Sequence, residues 1–220
     1  MERRYCLYLA FTHIHLIFKS SDSPFTRYFC KRRQAKFLSF LKSNYVITPY
    51  SSDRPSDYQI TFYDLPISKT QIIHKSRLGS GSGISYFAYF FSQNGKTIGI
   101  PYSASTSHIA YIILKLLLTQ LSKQSAFILH ASSNIFHNKL LVFVAPSGGG
   151  KSTITTLLDS KFPSFSDEYI VIKKQGTSYV GALLGLKEKN HSFSPKKLSK
   201  HFPVHSVIFL RKSETAQLKK

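Results

Sequence analysis

The stretch Leu140-Leu-Val-Phe-Val-Ala-Pro-Ser-Gly-Gly-Gly-Lys-Ser-Thr-Ile-Thr-Thr-Leu-Leu158 decides the fold. An apolar run typical of a buried strand is followed by three glycines and then by the start of a helix. Glycines allow successive backbone N–H groups to converge on one point, and the helix directs the positive end of its dipole there. This order predicts a phosphate-binding loop. The alternative is an ordinary glycine-rich turn with an incidental lysine.

The loop matches the pattern G-x-x-x-x-G-K-[ST] except at its first position, which is Ala145. The later glycines form the cradle, so alanine at that position is a small departure. Lys151 would reach the terminal phosphates of a nucleotide, and the Ser152 hydroxyl would ligate Mg²⁺. The residues predicted to bind the nucleotide are Ser147, Gly148, Gly149, Gly150, Lys151, Ser152 and Thr153.

The composition indicates a globular protein with anionic partners. Of its 220 residues, 42% are hydrophobic and 14% aromatic, which is ample for a core. Thirty Lys and Arg residues against ten acidic residues give a net charge of +20. Such an excess favours nucleotides, nucleic acids, acidic proteins or anionic lipid surfaces as partners. A lysine-rich genome is an alternative explanation of the same charge.

The two cysteines and the apolar segments indicate a cytoplasmic protein. Cys6 and Cys30 lack metal-ligand spacing, and two free buried thiols are favoured over one disulfide. The N-terminus has no apolar core typical of a signal peptide. The most apolar helical run, 109–118, is too short to span a bilayer and contains Lys115.

Residues 1–102 are predicted to form an α+β region dominated by antiparallel strands. β-forming residues fill 4–19, 45–48, 58–63, 84–91 and 97–101, and the last two are expected to pair across an Asn-Gly turn. A basic amphipathic helix follows the first strands, and a Gly-Ser-rich connector lies at 79–83. The basic face of that helix is interpreted as solvated, although nucleic acid or a membrane surface could also bind it.

Residues 103–220 are predicted to form an α/β domain that is short at its C-terminus. A helix at 103–123, capped by Ser105 or Ser107, is expected to pack under the sheet that carries the loop. The predicted strands are 127–136, 140–144, 164–173, 179–184 and 204–210. Two further helices are predicted to begin at Ser194-Pro195 and at 213.

Three side chains outside the loop are candidates for phosphoryl-transfer chemistry. Asp167 and Glu168 follow the loop helix at the start of a predicted strand, where a carboxylate could hold Mg²⁺. His130 lies on the strand before the loop strand, and antiparallel pairing would bring it beside the loop and Asp167. Solvent-facing carboxylates and a structural histidine remain the alternatives.

Three segments resemble one family: Leu129-His-Ala-Ser132, Ala145-Pro-Ser-Gly-Gly-Gly-Lys-Ser-Thr153 and Phe165-Ser-Asp-Glu168. They are similar to the catalytic domain of HPr kinase/phosphorylase. They are closer still to the HPr-kinase-like proteins found beside PqqD-like proteins in peptide-modification gene clusters. The resemblance covers about residues 105–212 and implies an α/β fold with a mixed sheet, related to phosphoenolpyruvate carboxykinase.

The resemblance also implies roles for individual residues. Lys151 would contact the nucleotide phosphates, and Ser152 would ligate Mg²⁺. Asp167 would be the general base toward a serine hydroxyl, with His130 assisting it and Glu168 supporting the metal. The sequence departs from the family in three respects. The acidic pair is Asp-Glu and not Asp-Asp, the Gly- and Arg-rich second signature is missing from 176–195, and the C-terminal region that docks substrate is missing.

The leading hypothesis is an ATP- and Mg²⁺-dependent kinase that phosphorylates a hydroxyl, most plausibly a serine of a small protein or peptide. A homo-oligomer is compatible with the resemblance. The first alternative is a nucleotide-binding accessory module without catalysis. The second, less favoured, is a nucleic-acid-binding protein that uses its basic helix.

Overall fold

The computed structural model describes most of the chain as two compact units, residues 1–120 and 121–220. The residues it describes are 2–19, 24–51, 55–63, 73–78, 85–91, 96–186 and 200–211. Four predicted features lie outside the described residues. They are the connector at 79–83, the Asn94-Gly95 turn, the helix at Ser194-Pro195 and the helix beginning at 213.

The first unit is built on a seven-stranded sheet. Its strands are β1 (Arg3–Leu9), β2 (Thr12–Phe18), β3 (Val46–Pro49), β4 (Tyr58–Tyr63), β5 (Ile73–Leu78), β6 (Ser85–Phe91) and β7 (Thr97–Pro101). Their order is β3-β1-β2-β4-β7-β6-β5. Most pairs are antiparallel, as predicted, but β4 runs parallel to both β2 and β7. The predicted pairing of β6 with β7 is confirmed.

Aromatic side chains fill the core of this unit. Phe18 and Phe62 on neighbouring strands stack with their ring centroids 4.5 Å apart. Helix α1 (Pro24–Asn44) contributes Phe37, whose ring lies 5.5 Å from that of Phe62. Tyr102 closes the core and donates its hydroxyl to the Lys19 carbonyl oxygen at 2.8 Å. Both cysteines are free and buried, as predicted.

Helix α2 (Thr106–Lys123) corrects one expectation about packing. Its N-terminus is capped by Ser105, because the Ser105 hydroxyl accepts the His108 N–H and the His108 imidazole accepts the Ser105 N–H. Residues 106–120 of this helix, however, belong to the first unit and not to the sheet that carries the loop. Gln120 donates to the Asp57 carboxylate at 3.1 Å and thereby ties the helix to the start of β4.

This division falls at 120/121, whereas the sequence places a domain boundary at 102/103. The stripe of apolar residues on α2 indicated a buried face, but it did not specify which sheet would cover that face. The assignment of functional domains stays a prediction.

The second unit has a six-stranded mixed sheet and one helix among its described residues. Its strands are β8 (Ala126–Phe136), β9 (Lys139–Val144), β10 (Ser164–Ser166), β11 (Tyr169–Gln175), β12 (Ser178–Leu183) and β13 (His201–Phe209); its helix is α3 (Lys151–Leu158). The strand predicted at 164–173 is therefore two strands, interrupted at Asp167 and Glu168.

Strand pairing in this unit closes into a circuit. The first half of β8 pairs with β11, and its second half pairs with β9. From β11 the pairing continues through β12 to β13, which returns to β9 as a parallel neighbour. Gly181 on β12 shows how tightly the interior is packed, because a Cβ there would meet Leu140 and lie 3.0 Å from Ile170 Cδ1.

A two-residue turn joins β8 to β9. His137 and Asn138 have φ values of +46° and +59°, which is the backbone of a tight hairpin turn. The turn fixes the register that pairs Phe136 with Lys139 and, farther along, Ala131 with Val144. No helix within the described ranges combines the length and apolarity needed to cross a bilayer.

Candidate functional site

The glycine turn, residues 145–150, joins the end of β9 to the start of α3. Gly148 and Gly150 have φ values of +70° and +94°, a region that L side chains rarely adopt. Gly149 is required for a different reason, because a Cβ there would lie 2.6 Å from the Cβ of Ala145. The shape of the turn therefore depends on all three glycines.

The turn leads directly into the N-terminus of α3. Gly150 is the N-cap residue and no side chain makes a capping hydrogen bond. The first N–H groups of a helix have no acceptor within the helix. Ser152 and Thr153 are exposed on this first turn. Backbone donors, two hydroxyls and the positive end of the helix dipole thus meet at one place, which can bind an anion.

Lys151 is the first residue of α3, and its side chain reaches back to the turn. Its side chain is largely buried, and its ammonium donates to the carbonyl oxygens of Ala145 at 2.9 Å and Pro146 at 3.3 Å. The positive charge is therefore held where a phosphate cradled by the same turn would contact it. A bound anion would compete with these two carbonyl oxygens for the ammonium.

Buried polar side chains of β8 anchor α3 to the sheet. The Ser132 hydroxyl donates to the Lys151 carbonyl oxygen at 3.0 Å and accepts from the Thr155 hydroxyl at 2.6 Å. The Asn134 amide donates to the carbonyl oxygens of Thr155 at 3.1 Å and Phe162 at 2.7 Å. These bonds fix both the start of α3 and the chain that leaves it.

Strand pairing brings the acidic pair close to the turn. Ala131, in the middle of β8, pairs on one edge with Val144, the residue directly before the glycine turn. On its other edge, the Ala131 N–H donates to the Glu168 carbonyl oxygen at 3.1 Å. Because neighbouring strands are about 4.8 Å apart, the backbones at Val144 and Glu168 are separated by about 10 Å.

The same register decides which side chains share the face of α3. Ser132 and Asn134 point to α3, as their hydrogen bonds show, and His130 shares their face because alternate residues of a strand do. Antiparallel partners share a face of the sheet, so Tyr169, which pairs with His130, lies on this face as well. Asp167 and Glu168 lie in the bend between β10 and β11, where the Ser166 hydroxyl donates to the Tyr169 carbonyl oxygen at 2.6 Å, so strand alternation assigns neither carboxylate to a face.

The two carboxylates differ in their exposure to solvent. Asp167 is half-buried, whereas Glu168 and His130 are exposed. The His130 ring lies 5.4 Å from the ring of Tyr169, its partner across β11. The structure thus places His130 on the face of the sheet that carries α3, and the roles of His130, Asp167 and Glu168 stay predictions.

Sequence reasoning missed the three residues that hold this arrangement together: Ser132, Asn134 and Tyr169. A signal was present, because a Ser-Ser-Asn run interrupts an otherwise apolar strand at 132–134. Buried polar residues need hydrogen-bond partners, so such a run indicates that the strand supports another element.

Hydroxyl and carboxylate oxygens are the donors that the predicted Mg²⁺ ion would meet here. No group of three His, Cys, Asp or Glu side chains that could hold a metal occurs within the described part of the chain. Mg²⁺ is usually bound by one or two carboxylates together with waters and substrate phosphates. Ser152 and Asp167 are the side chains that could hold it here.

One pKa shift in this unit lies away from the turn. Burial, and then the charge of Lys173, lower the pKa of His201. His201 begins β13, whereas the residue of β13 that pairs beside the turn is Phe209, at its other end. The shift therefore does not belong to the candidate site.

Comparisons with known proteins give a weak structural likeness. No family model matches the chain, and no curated protein matches it. Among solved structures, the HPr(Ser) kinase/phosphatase from Coxiella burnetii is similar to 42% of this chain, over 70% of that chain. The sequence identity is 19% and the TM-score 0.32. A TM-score this low assigns neither a fold family nor a function.

Proposed function

We propose that the second unit is an ATP- and Mg²⁺-dependent kinase of the HPr-kinase type, with a phosphate-binding loop at residues 145–153. It would transfer a phosphoryl group to a hydroxyl, with a serine of a small protein or peptide as the acceptor. The observation that carries this proposal is the position of Ala131, which has the glycine turn on one edge and the acidic pair on the other.

The geometry of the turn supports nucleotide binding. The positive φ of Gly148 and Gly150 and the missing side chain at Gly149 shape the turn, and the first N–H groups of α3, which have no acceptor within the helix, would bind the phosphates. The Lys151 ammonium lies against carbonyl oxygens of the same turn and would contact the phosphates. Ser152 would hold Mg²⁺, which when bound offsets the negative charge of the phosphates.

Asp167 is the proposed base. As the acceptor oxygen forms its bond to the γ-phosphorus, the bond from that phosphorus to the β,γ-bridging oxygen breaks and ADP leaves. The hydroxyl proton passes to the Asp167 carboxylate. His130, on the neighbouring strand β8, would orient that carboxylate, while Glu168 would support the metal.

Purified protein incubated with ATP, Mg²⁺ and serine-containing peptides tests the proposal. We expect phosphoryl transfer that falls at least about a hundredfold in Lys151→Ala and Asp167→Asn, since each removes a charge that acts in the transition state. Lys161→Ala is the matched control, because Lys161 is an exposed lysine in the segment that follows α3.

Binding and turnover are measured separately. If Asp167→Asn binds ATP as the wild type does but transfers nothing, the assignment of the base is supported. Tight ATP binding by the wild type without any transfer would replace the kinase with a non-catalytic nucleotide-binding module. If the wild type binds no nucleotide, both functions are excluded.

A further inference from the structure

Helix α1 of the first unit carries charge of a single sign. It contains six basic residues and no acidic residue over its whole length. Lys31, Arg32 and Lys36 are exposed, the first two on one turn of the helix and Lys36 on the next. Their positions, together with the exposed rings of Tyr28 and Phe29, define what we call the basic α1 face.

The charges on this helix are arranged unfavourably for the isolated protein. Arg32 and Lys36 are four residues apart, as are Arg27 and Lys31, and like charges at that spacing repel. Arg27 also lies near the positive end of the helix dipole, where a negative charge would be favoured. Binding of a polyanion would relieve this repulsion.

The opposite face of α1 is fixed in the core. Cys30, Phe37, Leu38 and Leu41 are all buried. An interfacial helix binds a bilayer by inserting its apolar face, and here that face is already covered by the sheet of the first unit. The basic α1 face therefore fits a polyanion in solution better than a membrane surface.

Two exposed aromatic rings lie among the charges. Tyr28 is 74% exposed and Phe29 is 43% exposed, so both rings are accessible to a ligand. The guanidinium of Arg33 lies over the Phe29 ring, 5.4 Å from its centroid. Rings interleaved with cations suit a ligand in which flat bases alternate with phosphates.

The spacing of the charges fits an extended strand. The rise of an α-helix separates residues four positions apart by about 6 Å along its axis. This repeat is comparable with the distance between successive phosphates of an extended single strand. In a duplex the bases are stacked on each other inside, so their faces could not reach Tyr28 and Phe29.

We propose that the basic α1 face is a docking surface for single-stranded nucleic acid. Arg32 and Lys36 contact consecutive phosphates, Lys31 contacts the backbone beside Arg32, and Tyr28 and Phe29 stack on bases. This function is independent of the proposed chemistry of the second unit.

Fluorescence anisotropy with the full chain and labelled oligo(U) tests the surface. In the triple variant Lys31→Gln, Arg32→Gln, Lys36→Gln we expect affinity to fall about tenfold or more. The slope of log K against log salt should decrease by about 2, because about 0.7 counterion is released per phosphate contact. All three residues are exposed and their charges repel each other or Arg27, so the variant should melt no lower than the wild type.

The matched control removes the same charge elsewhere. Lys139, Lys161 and Lys174 are exposed lysines of the second unit, and the variant with all three changed to Gln should bind oligo(U) almost as the wild type does. In Tyr28→Ala, Phe29→Ala we expect about tenfold weaker binding with an unchanged salt slope, since stacking releases no counterions.

Four outcomes would overturn the proposal. The α1 triple variant could bind as the wild type does, or the control triple could lose as much affinity. An unlabelled duplex of equal length could compete as well as the single strand. The wild type could bind phosphatidylserine vesicles but not oligo(U), which would assign the surface to a membrane.

Discussion

Gly149 and Gly176 are both glycines in turns, but their surroundings differ. A Cβ at Gly149 would lie 2.9 Å from the Pro146 carbonyl oxygen, besides its contact with Ala145. A Cβ at Gly176, in the turn between β11 and β12, would meet nothing within 4 Å, although its φ is +61°. The first position is restricted by space, and the second only by backbone conformation.

This difference gives a prediction for the two alanine variants. Gly149→Ala should lower the free energy of unfolding by about 1–3 kcal/mol and weaken ATP binding at least about tenfold, because the turn must shift. Gly176→Ala should cost about 1–2 kcal/mol through its positive φ but leave ATP affinity unchanged. Urea unfolding and calorimetric titration measure both quantities. Wild-type ATP affinity in Gly149→Ala would contradict the assigned loop.

His108 predicts a pH dependence of stability. Burial lowers its pKa below the ordinary value of about 6.5, so the folded protein holds this imidazole neutral. Between the two values the unfolded chain binds more protons, and the free energy of unfolding therefore falls as the pH drops below about 6.5. Protonation of Nδ1 would also break its hydrogen bond with the Ser105 N–H.

Unfolding by urea from about pH 7 to about pH 5 measures this effect. His108→Asn keeps an acceptor for the Ser105 N–H without a titrating group, so its stability should vary less over this range than that of the wild type. An identical decline in both proteins would show that other groups cause it.

At the scale of elements, α3 depends on one buried amide. Asn134→Ala removes both donors to the carbonyl oxygens of Thr155 and Phe162 and leaves a small cavity. We expect a loss of about 2–4 kcal/mol in urea unfolding and weaker ATP binding, because α3 would no longer be held against β8.

Thr155→Val is the comparison within the same network. It removes the hydroxyl that contacts Ser132 but keeps the shape of the side chain. Thr155→Val should lower the free energy of unfolding by less, about 1 kcal/mol. In the double variant with Asn134→Ala the two losses should not simply add, because the two side chains share one network. Full additivity would indicate that the two residues act separately.

Local patterns were sufficient to predict most elements, including the order of strand, turn and helix around the glycines. They failed where the bounds or the pairing of a strand depend on a partner that is distant in the sequence. The pattern at 164–173 reads as one strand, but Asp167 and Glu168 interrupt it where β8 changes partner from β10 to β11. The parallel neighbours of β4 were likewise not predicted, since pairing across distant chain segments leaves no local periodicity. The segment Ile73–Leu78 was also not predicted, although its partner β6 is the next strand along the chain.

The candidate site shows the same limit. Lys151 and Ser152 follow from a contiguous motif. The relation of His130 to Asp167 depends on strand register, which spacing alone can suggest but not fix. Ser132 supports Lys151 through a backbone carbonyl oxygen, a contact that residue type does not reveal.

At the scale of the whole molecule, the net charge of +20 predicts that salt stabilises the fold. Screening reduces the repulsion among the basic residues, so the melting temperature should rise as NaCl is added. Tripolyphosphate at matched ionic strength should raise it further, because a ligand of the native state adds binding free energy. Lys151→Ala should keep the NaCl effect and lose most of the additional effect.

The hairpin turn at His137 and Asn138 has a consequence for the order of folding. β8 and β9 are joined by two residues, so their pairing needs little loop closure and can form within microseconds. The parallel pairing of β9 with β13 must wait for a much longer segment of chain. The glycine turn follows Val144, the residue of β9 that pairs with both β8 and β13. A nascent chain would therefore acquire the hairpin well before the turn is held in an anion-binding conformation.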